Sequence, residues 1–311
     1  MSSEKFTGKL RLLVTGASGF VGHHLACLLA LDDGIELTPL PAGTDLRDRA
    51  ALEATCLALR PDAVIHLAAQ SFVPRSFEAP EETYAVNFLG TLHLLEALKN
   101  SSFDGTFLFV GSSDVYGLVG TGQLPITEQM LLAPRSPYAV SKAAAELLCR
   151  QWSVTEKMRI VMTRPFNHIG PGQDLRFAVS GFCRQVALIH LGKQAPVIEV
   201  GDLGVTRDFT DVRDVVRAYL ALLEKGSSGD VYNICSGREI LLADVLPQLR
   251  AISGVDFEIR VDASRFRPAE QRRVCGSALK LEQATGWRPT IPFTQTLLDM
   301  YTWWLEKLKN D

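Results

Sequence analysis

An apolar strand, a glycine-spaced turn and an amphipathic helix follow one another near the start of the chain, and few folds accept that order. Leu10–Thr15 (LRLLVT) suits a strand buried on both faces. Thr15-Gly16-Ala17-Ser18-Gly19-Phe20-Val21-Gly22 then sets glycines at 16, 19 and 22 before a helix over Val21–Leu31. Gly16 permits the tight turn, Gly19 lets the backbone approach a pyrophosphate, and Gly22 lets the helix pack on the sheet. The free N–H groups of the helix start would face the anion. Gly16, Ser18, Gly19, Phe20, Val21 and Gly22 are therefore candidate dinucleotide-binding residues.

The alternation continues. Strands are expected at Glu36–Leu40, Ala63–Leu67, Thr106–Gly111 and Ile160–Arg164, with helices at Arg49–Leu59, Glu82–Leu98 and Ser136–Trp152 between them. Ser136 suits an N-cap and Pro137 the first helical position. This rhythm predicts an α/β protein, a Rossmann-type doubly wound parallel sheet over residues 1–166. After the breaker Gly170-Pro171-Gly172 the rhythm weakens. A strand at Val231–Ile234 and helices at Ala243–Ile252 and Gln295–Lys309 follow. Residues 167–311 are read as a smaller C-terminal α/β substrate-binding domain, with some chain returning to the first sheet.

Composition excludes other classes. With 32 basic and 35 acidic residues the net charge is −3, so no overall basic field draws the chain to nucleic acid. No run is long and apolar enough to span a membrane. The polar start MSSEKFTGKLR does not read as a signal peptide. Cys27, Cys56, Cys149, Cys183, Cys235 and Cys275 show no C-x-x-C pair or His at ligand spacing, so no metal site is expected. A cytoplasmic location with reduced thiols is expected instead.

The G-x-x-G-x-x-G spacing resembles the extended short-chain dehydrogenase/reductase group, and further motifs carry the likeness. Asp45-Leu46 stands where that group places an Asp beside the adenine, and His66-Leu67-Ala68-Ala69 matches its cofactor-lining strand end. Asn87 lies in its central helix, and Tyr138-x-x-x-Lys142 matches its catalytic pair. The resemblance implies cofactor contacts from Asp45, Leu46, Leu67, Ala68, Ala69, Asn87, Tyr138 and Lys142. An acid after the second strand would select NAD and an Arg NADP. Thr38-Pro39-Leu40-Pro41 offers neither, so NADPH or NADH is expected.

Tyr138 and Lys142 are one helical turn apart and share a face. An ammonium there is expected to favour the phenolate and to hold the nicotinamide ribose. The group's substrate hydroxyl lies four positions before a Tyr-Gly; counting back from Tyr116 gives Ser112, with Ser113 next to it.

The second half is similar to nucleotide-sugar enzymes. Arg164-Pro165-Phe166-Asn167-His168-Ile169-Gly170-Pro171-Gly172-Gln173 resembles a segment of those enzymes, and Arg267-Pro268-Ala269-Glu270 the R-P-x-E segment of GDP-mannose-type enzymes. Phe166–Gly172, Arg207-Asp208-Phe209-Thr210-Asp211-Val212, Asp230-Val231-Tyr232-Asn233-Ile234-Cys235-Ser236-Gly237 and Thr285-Gly286-Trp287 resemble the bacterial family of GDP-6-deoxy-4-keto-D-mannose reductases, which make GDP-D-rhamnose and are close to the GDP-mannose 4,6-dehydratases. The resemblance assigns Asn167 to sugar or phosphate, Arg207, Arg267 and Arg184 to the diphosphate, and Glu270 to the ribose. His168 is read as structural, and Arg176, Arg272 and Arg273 as either phosphate ligands or surface charge.

The resemblance also implies a homodimer through the helices at 82–98 and 136–152. Dehydratases place a Glu where this chain has Asp114, one methylene shorter, which favours ketone reduction. A 4,6-dehydratase, a 4-epimerase and a non-catalytic NAD(P) sensor stay as alternatives.

Overall fold

A computed structural model describes residues 9–266 and 271–310. The first half lays down β1 (Leu10–Thr15), α1 (Phe20–Leu29), β2 (Ile35–Pro39), α2 (Arg49–Leu59) and β3 (Ala63–His66). There follow α3 (Val73–Glu78), α4 (Pro80–Tyr84), a π-helical turn at Ala85–Leu89, α5 (Gly90–Asn100), β4 (Thr106–Val110), α6 (Pro137–Thr155) and β5 (Arg159–Pro165). The second half contributes β6 (Asn167–Ile169), α7 (Ala178–His190), β7 (Val197–Val200), β8 (Thr206–Asp211), α8 (Val212–Lys225) and β9 (Val231–Ile234). It closes with β10 (Glu239–Leu241), α9 (Leu242–Ser253), β11 (Glu258–Val261), α10 (Leu279–Thr285) and α11 (Phe293–Asn310).

The main sheet runs β2-β1-β3-β4-β5-β9, parallel throughout. Its interior strands are apolar on both faces because helices cover both. On one face Leu13, Val64, Phe107 and Phe109 meet Leu52, Leu94, Leu98 and Cys149 from α2, α5 and α6. On the other, Leu12, Val14, Ile65 and Leu108 meet Leu25 of α1, Tyr219 and Leu222 of α8, and Leu281 of α10. Pro39 ends β2 on the open edge, where its missing N–H breaks no ladder.

The sixth strand comes from beyond residue 230, so the sheet of the first half is completed by the second. Phe166 marks the departure: its N–H still reaches Ile234, and Asn167–Ile169 then pairs with β8 in a three-stranded sheet β10-β8-β6. A second core, with Phe182, Val186, Leu246, Leu297 and Trp304, holds α7, α9 and α11 together.

The single helix expected over Glu82–Leu98 is divided by the π turn. The Asn87 amide is drawn inward at its centre, accepting from Gln70 N at 2.8 Å and donating to Gln70 O and Ser141 Oγ at 3.0 and 2.9 Å. Apolar periodicity runs through this turn almost undisturbed, which is why spacing alone does not disclose it.

Candidate active site

The C-terminal edge of β1 opens into an anion cradle. Gly16 turns at φ +72°, and a Cβ there would lie 2.8 Å from Ala68 N. Gly19 caps α1 with no side-chain hydrogen bond, and the first turn of α1 carries no acidic residue. The N–H groups at the start of that helix therefore have no side-chain cap or first-turn carboxylate to compete with an incoming anion. Ala68 N donates to Thr15 Oγ1 at 3.2 Å, and Leu67 N to Thr15 O at 3.2 Å, drawing the strand-end motif over the turn. These residues fit a dinucleotide pyrophosphate on steric and electrostatic grounds. Gly16→Ala is expected to lower NADPH affinity at least about tenfold, since both the positive φ and the contact with Ala68 oppose a side chain. Fluorescence titration checks this, and unchanged affinity would contradict it.

Asp45 and Leu46 follow the second strand. Leu46 is buried against Gly90. Asp45 accepts bidentately from the Arg47 guanidinium, whose hydrogen bonds hold the carboxylate down at about 2. Asn87 is buried and its amide is committed to Gln70 and Ser141, so its contribution to the cleft here is the placement of those two segments.

At the end of β4 the chain breaks into a short 3-10 turn over Ser113–Tyr116 because Ser112 caps it, its Oγ accepting from Asp114 N at 3.2 Å. Ser112 is buried beside Tyr138, Ser113 half-buried, and Asp114 exposed. On α6, the Ser136 hydroxyl accepts from Ala139 N at 3.1 Å and Pro137 starts the helix, which puts Tyr138 in the first turn and Lys142 in the second.

The electrostatics differ from the expectation that Lys142 favours a phenolate. Burial pushes the Tyr138 phenol well above its ordinary value, the negative charge of Asp114 adds to the rise, and Ser112 opposes it. Lys142 turns to the sheet, its Nζ donating to Val110 O at 2.8 Å, and burial lowers it to about 8. Both groups are almost wholly out of water, and burial disfavours the charged form of each. Tyr138 is therefore a phenol that holds its proton at neutral pH, the state a proton donor needs. Since the Lys142 cation exists below about pH 8, kcat is expected to hold up to that pH and to decline above it. A profile flat to pH 10 would contradict a role for the charge.

The arginines sort by partner. Arg272 pairs with Asp202, Arg273 with Glu239 at 2.5 Å, and Arg176 with Asp174 at 2.9 Å while lying over Phe72. Arg207, on β8, donates to the carbonyls of Thr206 and Gln271 at 2.7 and 2.9 Å. Arg184 stands over the Trp304 ring, and among the described residues no carboxylate pairs with it. Asn167 is exposed on β6. His168 donates through Nδ1 to Phe166 O at 3.1 Å and stacks near Phe20. Arg267 and Glu270 lie outside the described residues. No group of three or more possible metal ligands occurs among the described residues.

A buried network beneath the site has no counterpart in the motif reading. Arg164 holds Glu146 through Nε and Nη2 at 2.8 and 2.6 Å and donates to Tyr116 OH at 2.8 Å; Tyr116 OH donates to Asn233 Oδ1 at 2.7 Å. It ties the turn after β4 to α6, β5 and β9. The signal was available: Glu146 stands one helical turn beyond Lys142.

A glycine-turn cradle at the end of β1 together with the buried Tyr138 and Lys142 one turn apart on α6 defines the class, the nicotinamide-dependent oxidoreductases of the short-chain dehydrogenase/reductase type. Known proteins narrow it. The chain belongs to the GDP-mannose 4,6 dehydratase family, whose model matches residues 42–300. It is 49% identical over 302 residues to the GDP-6-deoxy-D-mannose reductase of Pseudomonas aeruginosa, covering 97% of this chain and 99% of that one. It is 31% identical to a dTDP-glucose 4,6-dehydratase of Xanthomonas campestris, over 94% and 92% of the two chains. The solved structure of RMD from Pseudomonas aeruginosa complexed with NADPH superposes with a TM-score of 0.91 at 48% identity, covering 96% of this chain and all of that one. The NAD complex of Thermus thermophilus UDP-glucose 4-epimerase gives 0.83 at 30% identity, with 94% and 98% covered.

Proposed function

We propose that the protein reduces the C4 ketone of GDP-4-dehydro-6-deoxy-D-mannose to GDP-D-rhamnose with NADPH or NADH. The observation that carries this reading is the 49% identity, end to end, with a GDP-6-deoxy-D-mannose reductase. The site supports it. Gly16, Ser18, Gly19, Phe20, Val21 and Gly22 would hold the pyrophosphate, Leu67, Ala68 and Ala69 would line the cofactor, and Asp45 and Leu46 would flank the adenine end. When bound, the nicotinamide supplies the hydride for C4. Tyr138 gives its phenol proton to the C4 oxygen, Ser112 fixes that oxygen, and Lys142 holds the ribose. Ser113 and Asn167 face the sugar, and Arg207, Arg184, Arg267 and Glu270 take the nucleotide diphosphate and ribose.

The family's name makes 4,6-dehydration the second reading. Elimination needs a base at C5, and Asp114 occupies that place with an arm shorter by roughly 1.5 Å. A misplacement of about 1 Å can cost on the order of a hundredfold in rate. Reduction requires no such base. In the assay, the 4-keto sugar with NADPH is expected to consume the reductant, and GDP-mannose alone to stay intact. No consumption in the first reaction would refute the reductase reading, and loss of water from GDP-mannose would establish the dehydratase.

A homodimer built on four helices is part of the proposal. Val140, Leu147 and Val154 recur every seven residues along α6 and are 39%, 58% and 71% exposed, with Tyr84 and Leu89 exposed on the neighbouring helix segment. A solution mass near twice 34.1 kDa is expected, and one near 34.1 kDa would contradict it. No helix among the described residues is long and apolar enough to cross a membrane. All six cysteines are free, which supports a cytoplasmic location.

A further inference from the structure

His66 is the buried member of the strand-end motif, and nothing in the proposed reaction uses it. Its Nδ1 lies 2.7 Å from Thr15 Oγ1 and its Nε2 3.0 Å from Thr91 Oγ1. The proton positions follow from the neighbours. The Thr91 hydroxyl donates to Asn87 O at 2.7 Å, so its one hydrogen is taken and it must accept from Nε2–H. Burial lowers the ring to about 3, so it carries a single proton, and Nδ1 accepts from the Thr15 hydroxyl. Thr15 in turn accepts from Ala68 N.

The chain of bonds continues past Asn87. The Asn87 amide bonds both backbone groups of Gln70 and donates to Ser141 Oγ, and the Ser141 hydroxyl donates to the Tyr138 carbonyl at 2.7 Å. Asn87 sits in the π turn, whose i→i+5 ladder departs from the α-helical one. The run therefore starts at the floor of the cofactor cradle and ends on the backbone of Tyr138. Each link has one donor and one acceptor, with no second proton arrangement available to it.

We propose that His66 is a positioning residue for the reduction: as a fixed Nε2–H imidazole between Thr15 and Thr91, it holds the π turn, and through Asn87 and Ser141 sets the first turn of α6 against the cofactor floor. This rests on the reductase reading above. The role is the distance between the Tyr138 hydroxyl and the cofactor's reactive end. His66 touches neither.

The test uses Thr91→Val, which keeps the volume and removes the link, with His66→Leu and His66→Gln beside it. A glutamine amide offers an acceptor and a donor in place of the two ring nitrogens. Thr91→Val and His66→Leu are expected to lower kcat about tenfold, with NADPH affinity within twofold and an increased primary deuterium isotope effect from labelled NADPH. His66→Gln is expected to regain at least a third of the rate. Without substrate, amide hydrogen exchange across residues 137–142 is expected to quicken in Thr91→Val while the far end of α6 is unchanged. An unaltered kcat in folded Thr91→Val, or a loss confined to NADPH affinity, would overturn the proposal. So would unchanged exchange in the first turn of α6. If His66→Leu does not fold, Thr91→Val decides. A wild-type enzyme that leaves the 4-keto sugar unreduced while Thr91→Val still loosens residues 137–142 would sink the reductase reading and leave the relay standing.

Discussion

Tyr138→Phe is expected to lower kcat by about three orders of magnitude while NADPH still binds within a few-fold of wild type. A positioned general acid contributes on the order of a hundred- to ten-thousand-fold, and the Tyr138 phenol is the donor proposed for the C4 oxygen. The benzyl ring stays, so the packing of α6 against the sheet is kept. The raised affinity of Tyr138 for its proton makes the prediction one-sided. At neutral pH the residue is loaded to give a proton, and a phenylalanine has none to give. Stopped-flow oxidation of NADPH with the 4-keto sugar measures the loss, and fluorescence titration measures the affinity. Full activity in the variant would remove Tyr138 from the chemistry. Equal losses in affinity and rate would assign it to cofactor binding instead.

The second large effect concerns stability. Arg164 and Glu146 have side chains only 5% and 4% exposed and meet at 2.6 Å. Burying such a pair costs desolvation that the contact recovers only while both members are present. Glu146→Leu strands the Arg164 guanidinium without its carboxylate, and a loss of about 3–5 kcal/mol is expected. In a chain of this size that lowers Tm by on the order of 10 °C. The double variant Glu146→Leu/Arg164→Met is expected to recover much of the loss, because no charge is then left buried. Chemical denaturation of the three proteins checks both statements. A single variant that loses less than about 1 kcal/mol would show that the guanidinium finds water or another partner.

The parts of the fold that follow chemical rules with short range were legible in the chain. Leu10–Thr15 and Arg49–Leu59 have the predicted bounds, and Ser136 and Pro137 start α6 as their capping chemistry dictates. The doubly wound parallel sheet follows from the alternation that precedes residue 166. What spacing could not disclose depends on partners distant in sequence. Within the π turn Asn87 reaches Gln70 and Ser141, the latter 54 positions away. His66 looks like part of a cofactor-lining motif, yet its ring is turned to Thr15 and Thr91, 51 positions back and 25 ahead. The proton affinities of Tyr138 and Lys142 depend on distant partners too. Their spacing shows that they share a face, whereas their burial is set by the sheet, the Ser112 turn and the body of α6 together.

The residues of the second half were legible as types and less so as roles. Arg176, Arg272 and Arg273 are held by Asp174, Asp202 and Glu239, an outcome that depends on which acids the loops bring near. Arg184, on α7, lies over the Trp304 ring, and Arg207, on β8, donates to the carbonyls of Thr206 and Gln271.

The central claim is that hydride goes to C4 of the sugar while Tyr138 protonates the oxygen. NADPH carrying deuterium at both positions of nicotinamide C4 tests it most directly, with the 4-keto-6-deoxy sugar as acceptor and the product read by proton and deuterium NMR. One deuterium per product molecule is expected, all at sugar C4, with NADPH oxidised in equal amount. Deuterium at C6, or a sugar converted without taking up label, would contradict it.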